Sequence, residues 1–155
     1  MKTKLSLLVL VVLTVLSCVN REQYVQNFSI ADSKWKISNK CRFEYINNDT
    51  VSPSNVYFNL RHSGNYKYSN IYLFVTTMAP NGNKIIDTLE YNLADAKGRW
   101  IGKGLSDIKN IKLGYKKAVR FSQNGKYMFY VTHGMRENEL EGIIDVGIII
   151  EKSKQ

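Results

Sequence analysis

Cysteine is scarce in this chain, and its scarcity removes whole classes of protein. Two cysteines among 155 residues cannot frame a disulfide scaffold. Neither they nor the two histidines, His62 and His133, stand at a metal-ligand spacing, so neither a metal nor a cofactor is expected. Long runs of one charge are missing as well. The formal net charge is +9, yet basic residues come at most in pairs such as Lys116-Lys117, as on a solvated basic surface. No G-x-S-x-G elbow offers an exposed nucleophile. Gly98 to Gly102 falls one residue short of a phosphate loop, and Gly104 has no hydroxyl to give a magnesium ion. Asp87 and Glu90 lie three apart in a strand-like stretch and face opposite sides, so they cannot act as an acid/base pair. No catalytic residue is assigned, and an enzyme is not expected. Nor is there an amphipathic helix of ordinary length, an internal repeat or a low-complexity block.

What is present begins with Lys2 and Lys4, followed by Leu5 to Leu16, apolar except for Ser6 and Thr14. Twelve helical residues rise only about 18 Å, whereas a bilayer core takes roughly 20 residues to cross. The segment has the layout of a secretory signal. Its ending, Val15-Leu16-Ser17-Cys18, resembles the lipobox of bacterial lipoproteins, although Leu16 is larger than the commonest choice. The alternative is a plain secretory signal that happens to contain a cysteine. The lipobox reading makes 1–17 a lipoprotein signal peptide and Cys18 the lipidated first residue of the mature chain, carrying fatty acyl chains such as palmitate. Stable anchoring takes about two chains, each methylene adding about 0.8 kcal/mol. Removing 17 of 155 residues leaves 138, and removing two of 22 basic residues against 13 acidic ones leaves a net charge of +7. That length suits one domain with a real core. Export argues against nucleic acid as a partner, and no small-molecule substrate is expected.

Residues 18–34 are polar and read as a lipidated tether. From Trp35 onward, short strands alternate with turn signals. Cys41, Phe43 and Tyr45 face one way and Arg42 and Glu44 the other, which makes Cys41 a buried small apolar residue. Val56, Phe58 and Leu60 alternate likewise. YSNIYLFVTTM is apolar on both faces, as in a central strand covered on both sides. It runs into Pro80-Asn81-Gly82-Asn83, a hairpin signal, and KIIDTLEY returns. IKNIKLGY, KAVRF, KYMFYVTH and DVGIIIE complete about seven or eight strands. The fold expected is all-β: an antiparallel β-sandwich of jelly-roll type over 35–152, with a short tail at 153–155.

Candidate contact residues fall in two loops. Leu93 to Asp107 is glycine-rich and irregular; its Trp100 either packs on the sandwich or meets a partner, with Lys103 and Asp107 beside it. HGMREN places His133, as a hydrogen-bonded loop anchor, next to Arg136, suited to an acidic partner surface. Tyr57, Tyr66, Tyr68, Tyr72 and Tyr130 either sit half-buried as ordinary strand formers or form a sugar-stacking platform.

The strings DTLEYNLADAKGRWIGKGLSDIK, YKKAVRF, QNGKY, HGMRENELEGIIDVG and the final IEK are similar to the gliding-motility lipoprotein family GldH of Bacteroidota. Ser122 departs from the pattern where proline is expected. The resemblance implies a non-enzymatic cell-envelope lipoprotein tied to gliding and type IX secretion, held to the membrane by its lipid and supporting other lipoproteins of that apparatus. An alternative is a lectin-like module for glycan or peptidoglycan. Val19, in place of an aspartate after the cysteine, resembles an outer-membrane destination. The absence of an acidic cluster in the following residues resembles a periplasm-facing body. Asp49-Thr50-Val51 and Asp87-Thr88-Leu89 resemble the phylum's O-glycosylation triplet.

Overall fold

The computed structural model describes residues 22–153, with side chains from Tyr24 onward. Cys18 lies outside the described residues. Ten strands follow one another: β1 (Glu22–Ser29), β2 (Lys34–Lys36), β3 (Cys41–Asn47), β4 (Ser54–His62), β5 (Asn70–Met78), β6 (Lys84–Asn92), β7 (Lys109–Val119), β8 (Gly125–His133), β9 (Glu139–Glu141) and β10 (Ile143–Lys152). The helical structure among the described residues is one 3-10 turn, Ala31–Ser33.

The pairing is nested. β5 pairs with β6, β4 with β7, β3 with β8, β2 with β9 and β1 with β10, every pair antiparallel. The chain is therefore one long hairpin doubled back at Pro80–Asn83. Rolling that hairpin brings β10 against β4 and β8 against β5. Two four-stranded sheets result, β1-β10-β4-β7 and β3-β8-β5-β6, with the β2-β9 ribbon apart. This is the jelly-roll form of the β-sandwich. At the hairpin tip Gly82 takes a positive φ of 86°, which glycine adopts without steric cost. Asn81 contributes by its side chain, accepting the Asn83 N–H at 3.0 Å.

Alternation along the strands puts one face of each sheet into a shared core. Phe43 and Tyr45, Val56, Phe58 and Leu60, Ile71, Leu73 and Val75, Phe129 and Val131, and Val146, Ile148 and Ile150 are all buried there. Trp35, from the ribbon, closes one end of the sandwich. It is fully buried, and its indole N–H donates to the Asn39 carbonyl at 2.9 Å. Burying an indole of 150–250 Å² contributes on the order of 5 kcal/mol.

Two expectations are corrected. Residues 22–29, placed in the tether, form edge strand β1 on β10. Among its described side chains, Tyr24 and Phe28 pack against the core, so its alternation is thin and polar residues hide it. β5, expected to be covered on both sides, is covered on one. Ile71, Leu73 and Val75 point inward, while Tyr72 and Phe74 are 36% and 43% exposed. Among the described residues, the 134–136 loop reaches one edge of that outer face, where the Met135 sulfur accepts the Tyr72 N–H at 3.4 Å.

Candidate functional site

The two ends of the sandwich differ. One gathers the 63–69, 93–108 and 134–138 loops with the β2-β9 ribbon. The loop from 93 to 108 folds as two small hairpins. In the first, Asp95 organises the turn: its carboxylate accepts the N–H groups of Lys97 and Arg99, both at 2.9 Å, and pairs with the Arg99 guanidinium at 2.8 Å. Those backbone and side-chain donors hold the Asp95 carboxyl below its usual range. In the second, Lys103 and Asn110 exchange both backbone hydrogen bonds, at 2.9 and 2.8 Å. Gly104 permits the close approach: a Cβ there would stand 2.0 Å from the Ile108 carbonyl oxygen. At the tip Leu105 is 92% exposed. Asp107 ties the hairpin back by accepting the Gly64 N–H at 3.1 Å.

A line of rings joins this loop to the next. Trp100 stands edge-on to His62 at 4.5 Å and lies against Tyr66. Tyr66 is buried, donates to the Asn70 carbonyl at 2.8 Å and meets Tyr68 at 5.8 Å. Burial, then the charge of its neighbours, raises the Tyr66 hydroxyl pKa. Tyr68 donates to Glu137 at 2.6 Å. Beyond it a groove of about 370 Å³ opens between Tyr68, Tyr72, Gly134, Met135 and Arg136. A second, shallow hollow of about 410 Å³ lies on the outer face of the β3-β8-β5-β6 sheet and has Phe74, Met78, Ile86 and Tyr130 with Lys40 and Lys84. Gly134 makes room for the Phe74 ring, since a Cβ would meet its Cζ at 2.9 Å. Among the described residues, no group of three or more His, Cys, Asp or Glu could hold a metal ion, and no helix is long and apolar enough to cross a membrane.

The family model described as GldH lipoprotein matches residues 22–150. The chain belongs to the GldH lipoprotein family. A gliding motility lipoprotein GldH homolog of Christiangramia forsetii is 38% identical over 144 residues, covering 88% of each chain. Gliding motility lipoprotein GldH of Flavobacterium johnsoniae is 33% identical over 153 residues, covering 94% of each. Among solved structures, a carbohydrate-binding module of the CBM28 type aligns with a TM-score of 0.45 and 8% identity over 84% of this chain and 73% of that one. At that score the likeness carries no argument about ligand.

In this GldH-family chain, four of the five residues expected at the contact surface come to one end. Trp100 is half-buried through its packing on His62. Lys103, Asp107 and Arg136 are exposed. His133 is not at the surface. It is fully buried, its ring edge-on to Trp35 at 5.3 Å, and neither ring nitrogen reaches a hydrogen-bond partner in good geometry. Being the last residue of β8, it keeps the inward face of Phe129 and Val131, two and four positions earlier. Of the tyrosines considered as a platform, Tyr66 is core, and Tyr57 carries the Lys112 ammonium over its ring at 4.1 Å. Tyr72 and Tyr130 remain on the outer face beside Phe74. Sequence reasoning missed Phe74 and Ile86, although the doubly apolar stretch of β5 was the signal for Phe74 and the Ile85-Ile86 pair in β6 the signal for Ile86.

Proposed function

We propose that this chain is a lipid-anchored protein of the cell envelope that serves surface gliding and the linked type IX secretion as a non-enzymatic docking post for other envelope lipoproteins. The family match over residues 22–150, with relatives named gliding motility lipoproteins, carries this reading. The secretion link and the outer-membrane, periplasm-facing placement follow from the resemblance in the sequence. Acyl chains on Cys18 provide the anchor. The partner surface is the loop end built on Trp100, with Lys103, Leu105, Asp107 and Arg136 outward. A hydrogen-bonded loop presenting an apolar tip among charges suits a protein partner.

Two experiments test it. Cells fed labelled palmitate should label the wild type and not Cys18→Ser; an unlabelled wild type removes the anchor. Photo-cross-linkers at Leu105 and at Arg136 should capture envelope lipoproteins that a cross-linker at Tyr57, on the other sheet, does not. Equal capture from all three positions would place the docking surface elsewhere.

The exposed rings of Tyr72 and Phe74, with the half-buried Tyr130 beside them, favour a second reading, a glycan- or peptidoglycan-binding face. Sedimentation with cell-wall material should then fall several-fold in Phe74→Ala/Tyr130→Ala. No retention of the wild type would end that reading.

A further inference from the structure

The end of the sandwich opposite Trp100 collects the 48–53, 79–83 and 120–124 loops, the start of β1 and the end of β10. It is a braced plate. Asn47 donates to the carbonyls of Phe121 at 3.1 Å and Gln123 at 2.9 Å. Gln123 accepts the Asn81 N–H at 3.2 Å, and Ser153 N–H reaches the Pro53 carbonyl at 2.9 Å. Asp49 accepts the N–H groups of Val51 and Ser52 at 3.0 and 2.9 Å and pairs with Lys152 at 3.3 Å. The loop so locked displays Val51, 76% exposed; Ile85, at the neighbouring turn, is 58% exposed.

The charge of this plate is basic. Lys116 and Lys126 are matched by Asp87 at 3.1 Å and Glu44 at 2.9 Å. Lys84, Lys117 and Arg120 are exposed and have no ion-pair partner among the described residues. Lys117 sits in a bulge: β7 slips against β4 between Val119 and Lys116, with Ala118 at a positive φ of 50° held by Asn55 at 2.9 Å. Bulges re-aim side chains, here away from the ladder.

Chain length sets where this plate sits. From Cys18 to the first residue of β1 is four residue steps, at most roughly 14 Å fully extended. We infer that this end rests on the leaflet that holds the lipid, with Val51 and Ile85 at the interface and Lys84, Lys117 and Arg120 on anionic phosphate headgroups. This rests on lipidation of Cys18. The opposite end, with Leu105, then points away, about 30 Å farther out along nine-residue strands. Orientation frees the loop end for a partner, and the attraction weakens with salt, since screening at physiological ionic strength acts over about 8 Å.

The test uses the acylated full-length protein in vesicles of phosphatidylethanolamine with or without phosphatidylglycerol, carrying one fluorophore through Val51→Cys or Leu105→Cys. Quencher lipids labelled at the headgroup report proximity. Quenching at position 51 and not at 105, strengthened by phosphatidylglycerol, is expected. The triple substitution Lys84→Glu, Lys117→Glu, Arg120→Glu should lower quenching at 51 about fivefold or more with vesicle flotation unchanged. Equal quenching at both positions, or indifference to the triple substitution, overturns the orientation. Protein that fails to float at all, as Cys18→Ser should, overturns the anchor reading and the orientation with it.

Discussion

Replacing His133 by leucine should stabilise the domain by about 1 kcal/mol. A neutral imidazole carries one donor and one acceptor, and in His133 both are buried without a partner in good geometry. A buried unsatisfied polar group costs about 1–3 kcal/mol. Leucine is close to histidine in volume, so no large cavity opens. The substitution loses the edge contact with Trp35, worth about 0.5–1.5 kcal/mol. The difference leaves a net gain, read as a rise in Tm of about 4 °C. The pH dependence gives a second readout. Burial lowers the pKa of His133 below its usual 6.5, partly opposed by the Trp35 backbone. Burial also lowers His62, with the Ser63 backbone opposing. A lowered histidine binds fewer protons folded than unfolded, so stability is full above about pH 6.5 and falls as pH drops toward the folded pKa. Asp145, raised by burial against the pull of Arg61, acts with the opposite sign in a more acidic window. Urea unfolding at about pH 7.5 and about pH 5.5 should therefore show a smaller acid loss in His133→Leu than in wild type. A variant destabilised by more than about 1 kcal/mol, with an unchanged pH slope, would mean that the ring nitrogens are partnered and that His133 is no bystander of the core.

Gly142 has a φ of +85°, and its missing Cβ would lie 2.5 Å from the backbone nitrogen of Tyr66. Gly142→Ala should cost about 3 kcal/mol, measured as a shift in urea midpoint with an unchanged slope. Cys41 is fully buried, and burial pushes its pKa up to about 12. Its thiol should resist a colorimetric disulfide reagent in the native protein and react only at the unfolding rate, so fast labelling would contradict its position. Arg61 pairs with the buried Asp145 at 2.7 Å. Arg61→Ala should cost about 1–2 kcal/mol by stranding that carboxylate, with most of the loss recovered in Arg61→Ala/Asp145→Asn.

The strands from Cys41 onward were legible because alternation reports one buried face directly. Cys41, Phe43 and Tyr45 on β3 and Val56, Phe58 and Leu60 on β4 all point inward as read. Two other stretches were ambiguous for physical reasons. β1 buries two rings among polar neighbours, and an edge strand needs no more than that to stay paired. β5 is apolar on both faces, a pattern shared by a covered strand and by one that offers a surface. His133 continued the inward alternation of β8, yet a histidine beside an arginine near a loop invites a functional reading.

The residues alone settled the all-β class, the hairpin at Asn81-Gly82, the burial of Cys41 and the family, because these depend on local periodicity, turn chemistry and the order of side chains along one chain. Folding decided the rest. Rolling one nested hairpin carried the loop of Trp100 and Asp107 and the loop of Arg136, far apart in sequence, to one end of the sandwich, and sent His133 inward against Trp35. The same roll set Val51, Lys84, Lys117 and Arg120 at the end where β1 begins. Which loops share an end depends on long-range pairing, and pairing energy is distributed over whole strands, so no short stretch of sequence records it.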